Sequence, residues 1–328
     1  MVRPLAPHGL ATAAPSRRAP AQSSDALSEG ALRWIGSNLE CFDPIPAEGE
    51  RNDPQTYKAF IELALLVWRL RREPRTAGKP ELERLLQFVA EIFAFDPFRE
   101  RLIRLDDLFV TYVLLYGALR EAGRIDDDRE QQRLQRFVDG STVQVAERPA
   151  HRVLEVRHVL DVAGLRHDLP SFKALAARTI LARPIGLVRS TEQDAYAITH
   201  DLFYLSDWGC SPVRGLSETM LARTRRTVED MLGMYVYARQ LDLVGELLLA
   251  TQFLDDTATD FYRCGWDALH DAQVADGSVP GPGFDPEEAE VRAEEERRDY
   301  VFEECYHPTL VAALAGALCS PPDRGADA

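Results

Sequence analysis

The chain has 328 residues, 45% of them apolar and 28% charged, with a formal net charge of −15 at pH 7. Such a composition buries a core and excludes general disorder, and the acidic balance excludes a phosphate backbone as partner, because that needs a concentrated basic surface. No run of about eighteen uncharged apolar residues is present to span a bilayer, and five cysteines without a CxxC pair exclude a disulfide framework and a zinc ribbon.

Residues 1–24, MVRPLAPHGLATAAPSRRAPAQSS, are rich in Ala, Pro, Ser and Arg without apolar periodicity, so a disordered tail is expected there. A mitochondrial-type presequence is the other reading of that tail, and its prolines oppose the amphipathic helix such a leader needs. A single domain is expected over 25–319 and a second short tail over 320–328. With free cysteines, no secretory apolar run and no membrane span, a reducing cytoplasm is the expected location.

From residue 26 the apolar residues recur at helix period between Pro, Gly and Asp punctuation, and alternating β-branched runs are nearly absent. The segments alternate in character. ELERLLQFVAEIFA at 81–94 puts Leu82, Leu85, Leu86, Val89, Ile92 and Phe93 on one stripe, the pattern of a helix with one wet face. AFIELALLVW at 59–68, LDDLFVTYVLLYGAL at 105–119 and LDLVGELLLATQFL at 241–254 are apolar nearly all round and must be covered on most sides. Outer helices are predicted near 26–40, 81–95, 129–138, 170–182, 217–239 and 258–273. Their inner partners are predicted near 55–71, 105–121, 149–163, 193–206, 241–254 and 299–318. The fold class is therefore all-α, and six such hairpins suffice for a closed (α/α)6 toroid whose inner helices open on one mouth. An open solenoid and an irregular bundle are the alternative arrangements.

Two stretches carry resemblances. WDALHDAQVADGS, Trp266 to Ser278, resembles the end of an outer helix in the terpenoid-cyclase and protein-prenyltransferase toroids, where a Gln-x-x-Asp-Gly-Ser turn passes the chain inward. CYHPTLVAALAGAL looks like the prenyltransferase segment in which a Tyr-His pair opens an inner helix, which would make His307 a zinc ligand. The remaining ligands would have to be Asp260 and Cys264, four residues apart where that family has two, or Cys305. That departure leads us to expect no zinc and no other cofactor. AYAITHDLFYLSDWG, Ala195 to Gly209, is similar to a signature of a domain-of-unknown-function family of actinobacterial proteins, a resemblance that implies no activity.

Aligning the inner helices by their apolar onset puts His151, His200 and His307 at one phase near the mouth, where imidazoles can exchange protons near neutrality. The competing reading makes each a helix-start residue bonded to a neighbouring loop. Glu246 is a lone acid in an apolar helix, costly unless paired or facing a wet cavity. Asp106, Asp107 and Asp242 stand at helix starts, where N-capping explains them. The Asp-rich string FLDDTATDF at 253–261 resembles the magnesium motif of class I terpene synthases, but it reads more simply as a helix end and the following turn. Catalytic candidates are therefore His200, His307, Asp201 and Glu246, with His151, Tyr196, Phe203, Tyr204, Trp208 and Tyr306 as the wall of a substrate site. The expected function is a small-molecule enzyme of bacterial specialised metabolism, a cyclase or lyase type moving protons on a small or peptide-derived substrate. The rival is a non-catalytic helical adaptor for a peptide or carrier protein. No nucleic-acid or membrane partner is expected, the sequence carries no signal for oligomeric state, and the loop at 276–286 is a candidate lid.

Overall fold

The computed structural model describes residues 24–45, 54–104, 106–126, 128–140, 143 and 146–322, and every regular element among them is helical. The tails read at 1–24 and 320–328 fall, but for 24 and 320–322, outside the described residues, as do the side chains of Asp106 and Asp107. The helices are α1 Ser24–Ser37, α2 Pro54–Arg71, α3 Pro80–Ala94, α4 Asp96–Arg104, α5 Asp106–Glu121, α6 Asp128–Gly140, α7 Ala150–Val162, α8 Phe172–Ala176, α9 Glu192–Leu205, α10 Glu218–Ala238, α11 Leu241–Phe253, α12 Asp260–Ala272, α13 Pro286–Val291 and α14 Glu294–Leu318.

Apolar patterning decides where each helix lies. In α3 the six residues of the predicted stripe are the ones buried, whereas α11 buries every residue from Leu241 to Thr251. A side chain such as Leu contributes about 1.5–3 kcal/mol when fully buried, so α11 has to sit in the middle of other helices. It packs on α9, α10, α12 and α14. The all-round apolar helices touch in order: α2 on α5, α5 on α7, α7 on α9, α9 on α11, α11 on α14, and α14 again on α2. The amphipathic helices lie against them, α1 on α14, α3 on α2, α10 and α12 on α11.

Three stretches depart from the sequence reading. The Asp-Pro at 96–97, between the helices predicted at 81–95 and 105–121, starts α4, because proline suits the first turn of a helix and Phe98 and Leu102 are one turn apart and buried. Residues 286–291 form α13, with Asp285 accepting from the Glu287 and Glu288 N–H groups and Pro286 at its start. The helix predicted over 170–182 is broken: α8 covers five residues, Thr179 is extended, and a 3-10 turn follows at Ile180–Ala182. An unbroken helix would carry Leu181 about 120° away from Leu175, and the break lets both be buried.

The turn after α12 ties the end of the chain to its beginning. Gln273 Nε2 donates to the carbonyls of Leu27 and Gly277, both at 3.0 Å. Further on, Pro308 lies inside α14 and has no N–H for the carbonyl of Glu304; the Gly281 N–H takes its place at 2.9 Å. Thr309 Oγ1 adds a second anchor by accepting from the Val279 N–H at 2.9 Å. The loop read as a lid is thus docked on α14.

Gly277 has φ +100°, and a Cβ there would lie 2.0 Å from the carbonyl oxygen of Gly30. Gly277→Ala should therefore lose at least about 2 kcal/mol of stability through backbone strain and displacement of α1. Urea denaturation checks this; an unchanged unfolding midpoint would show that the turn does not hold α1.

Candidate functional site

The helices that touch in sequence do not fill the space between them. A chamber of about 930 Å³ lies there, joined to an outer vestibule of about 670 Å³, in the size range of small-molecule sites. Lys58, Glu62, Arg152, Glu155, His200, Tyr204, Glu246 and His307 line both and form the rim between them. The vestibule residues come from α2, α7, α9 and α11, most of them in the N-terminal halves of these helices, and from α14 around Pro308. Gly281 and Pro282 of the docked loop border it. Inward the wall becomes apolar, with Ile61, Leu65, Leu114, Val159, Leu249 and Leu314.

At the rim, acids and imidazoles alternate. Glu246 is 4% exposed; its Oε2 accepts from Thr199 Oγ1 at 2.5 Å, and its Oε1 lies 3.6 Å from His200 Nε2 and 3.8 Å from His307 Nε2. His307 Nδ1 donates to Glu62 Oε2 at 2.8 Å, and Lys58 Nζ stands 3.8 Å from Glu62 Oε1. The order Glu62, His307, Glu246, His200 therefore runs from α2 through α14 and α11 to α9. The His200 side chain is 48% accessible, and that surface faces the cavity, since protein surrounds the ring.

These neighbours set the charges. Burial pushes the Glu246 carboxyl up, but the charges of His200 and His307 and the Thr199 hydroxyl outweigh it and hold it below its ordinary value. Burial works against an imidazolium at His307, yet the hydrogen bond and charge of Glu62, with Glu246 behind them, push it up to about 9. His200 is raised too: burial opposes its charge and Glu246 prevails. A His307 imidazolium has one N–H bonded to Glu62 and the other ring nitrogen 3.8 Å from the Glu246 carboxylate. The arrangement can store, donate and accept protons at the edge of an apolar chamber.

The chamber floor explains the SDWG string. Asp207, Trp208 and Gly209 are all left-handed, with φ of 50°, 54° and 78°, a conformation that costs a non-glycine residue of order 1–3 kcal/mol. Side chains hold it: the Asp207 carboxylate accepts from His158 Nε2 at 2.9 Å and Arg72 at 2.7 Å, and Arg69 Nε donates to the Trp208 carbonyl at 2.5 Å. Burial alone would raise Asp207, but His158 and Arg72 keep it well below the carboxylate range. Trp208 is thereby set against Phe203, ring centroids 4.7 Å apart, under the cavity.

Nine of the ten candidates from the sequence meet at these two spaces. His200, His307, Glu246 and Tyr204 are in the rim, Phe203 and Trp208 in the chamber, and His151, Tyr196 and Tyr306 in the vestibule. Asp201 is the exception: fully buried, it lines neither space and is pushed up to about 7 by burial, with Thr179 and His200 pulling it back only in part. Tyr196 donates its hydroxyl to Asp242, which gives that buried carboxylate a partner and also places it in the vestibule wall. Asp260 is paired with Arg263 and Cys264 is exposed on α12, away from His307. Thr259 caps that helix by accepting from the Tyr262 N–H at 3.2 Å. Among the described residues, no group of three or more His, Cys, Asp or Glu is placed to hold a metal ion. No helix among them is long and apolar enough to cross a membrane.

Sequence reasoning missed Glu62, Lys58, Arg152 and Glu155. Glu62 carried the same signal as Glu246, a single acid in an apolar helix, AFIELALLVW. The match extends over nearly the whole fold. The chain belongs to the DUF6895 family, a domain of unknown function. That family's profile matches residues 28–317, which takes in α14 to within one residue of its end and every rim residue of the DUF6895 cavity. No curated protein sequence matches the chain.

Because the folded His307 titrates near 9 and an exposed histidine near 6.5, its ion pair with Glu62 stabilises the fold fully below about pH 6.5 and is lost as pH rises through about 9. The native protein should thus be more stable than Glu62→Gln at pH 6 to 7, and by about pH 10 this difference should shrink to the small contribution of the exposed Lys58–Glu62 pair. Urea denaturation of both proteins across this range tests it, and a pH-independent difference would refute the coupling.

Proposed function

We propose that this chain is a small-molecule enzyme built as an (α/α)6 toroid, in which His200 and His307 move protons on a substrate held at the rim. The cyclic order of helix contacts, from α2 through α5, α7, α9, α11 and α14 back to α2, supports the toroid. One observation carries the functional reading: a buried carboxylate, Glu246, stands between two imidazoles at the neck of an unfilled apolar chamber. An adaptor that binds partners on its surface needs neither the chamber nor the buried acid–base chain.

In this reading the substrate places an apolar body in the chamber and its reacting atoms at the rim. His307, protonated at neutral pH, gives a proton to a leaving group or a developing anion. His200, the imidazole more open to the cavity, takes a proton from the substrate in its neutral form, and Glu246 balances the charge that results. Tyr204 and Phe203, on the same face of α9 as His200, orient the substrate. A cyclisation or an elimination needs these two proton movements, one off the substrate and one onto it.

The test is to incubate small-molecule extracts of bacterial cells with native protein, with His200→Ala and with His307→Ala, and to compare products by mass spectrometry. Native protein should consume at least one compound, and each variant should lose about a hundredfold or more of that rate while keeping a helical circular dichroism spectrum and a cooperative unfolding transition, that of His307→Ala at a lower temperature because its ion pair with Glu62 is gone. An extract left unchanged by folded native protein, or turnover that survives both substitutions, would remove the reading.

A further inference from the structure

Charge is unevenly placed on the chamber wall. At the rim the cations are paired, Lys58 with Glu62 at 3.8 Å and Arg152 with Glu155 at 2.7 Å. Of the residues that line the chamber and not the vestibule, Arg101 of α4 and Arg148 just before α7 carry the full charges. Neither forms an ion pair among the described residues. Arg148 uses one N–H on the Val143 carbonyl at 2.9 Å. The Arg101 guanidinium lies 5.2 Å over the Tyr57 ring, and its N–H groups have no acceptor among the described residues. The Thr111 hydroxyl lines the same chamber from α5.

Two guanidinium groups, each half-buried, lining the chamber and without an ion pair among the described residues, carry a desolvation cost that a bound anion would offset. Their forks match the oxygens of a carboxylate or a phosphate. Their place in the fold matters as well. Arg101 and Arg148 stand beside α5 and α7, which in the order of helix contacts are farthest from α11 and α14, the helices of Glu246 and His307.

We propose that Arg101 and Arg148 form an anion subsite, and that the substrate is an amphipathic molecule whose carboxylate or phosphate is held there while its other end meets His200 and His307. This rests on the toroid and substrate reading above. Neighbouring helix axes are about 8–10 Å apart, so opposite members of a six-helix ring are about 16–20 Å apart, and side chains from both walls leave roughly 6–10 Å for the ligand between its anionic group and its reacting atoms. Of the two sources of negative charge, a carboxylate presents one plane of two oxygens and a phosphate three oxygens, and the probes below separate them.

Calorimetric titration of the full chain with decanoate, decyl phosphate and 1-decanol tests the subsite. Native protein should bind at least one of the two anions about tenfold or more tightly than the alcohol, and the tighter of the two identifies the group. Arg101→Gln combined with Arg148→Gln should erase that preference and leave decanol affinity unchanged. Arg101→Lys with Arg148→Lys, which retains both charges, should keep part of the preference and guards against a folding defect in the Gln variant. Equal affinity of native protein for all three probes would overturn the subsite and leave the roles of His200 and His307 standing. A preference that survives in the Gln variant would overturn its assignment to these arginines. Binding of none of the three would overturn both the subsite and the substrate chamber.

Discussion

A carboxylate at the centre of a helical protein is the constraint on which the rest depends. Glu246 lies in a helix that buries eleven consecutive residues, where an unpartnered charge would cost several kcal/mol. Thr199, His200 and His307 supply its partners, and His307 brings Glu62. Those residues belong to α9, α14 and α2, so satisfying one charge fixes the register of four helices. It also keeps their polar faces turned to a common space. Packing apolar side chains there would strand the carboxylate, and the cavity and the acid–base chain are therefore one feature of the fold.

The opposite end of the chamber is maintained by a different expense. Three consecutive left-handed residues are unfavourable in isolation, and Asp207 and Trp208 adopt that conformation because Arg69, Arg72 and His158 hold the turn from two other helices. Trp68 and Glu121 extend the network, Trp68 Nε1 donating to Glu121 Oε2 at 2.8 Å and Arg72 pairing with Glu121 at 3.2 Å. The result is a rigid aromatic floor of Trp208 and Phe203 below a titratable rim. Polar chemistry is concentrated where a ligand enters, and the apolar surface lies beyond it.

The helices were readable because period and burial agree: a one-sided stripe gave α3, and an all-round apolar run gave α11. His200 in the site wall was readable for the same reason, and with it Tyr196, Phe203 and Tyr204, which stand three or four residues away on the same helix face. That geometry also argues against Asp201, which is turned about 100° from His200 and lies outside the arc of α9 from Phe203 to Tyr204 that faces the cavity. Glu62 was readable in principle and was hidden by the apolar residues around it. Arg101 and Arg148 were not, because α4 lies between the helices predicted at 81–95 and 105–121 and Arg148 lies outside any periodic segment. Their approach to the chamber is a property of tertiary packing. The break in α8 has the same origin, as the burial of both Leu175 and Leu181 overrides a continuous helical pattern.

The central claim is that one carboxylate controls both imidazoles. Titration of the His200 and His307 ring resonances by nuclear magnetic resonance, in native protein and in Glu246→Gln, tests it most directly. With the charge of Glu246 removed, both midpoints should fall, His200 more than His307, because Glu62 still supports the latter. Midpoints that stay at their native values in Glu246→Gln would contradict the coupling.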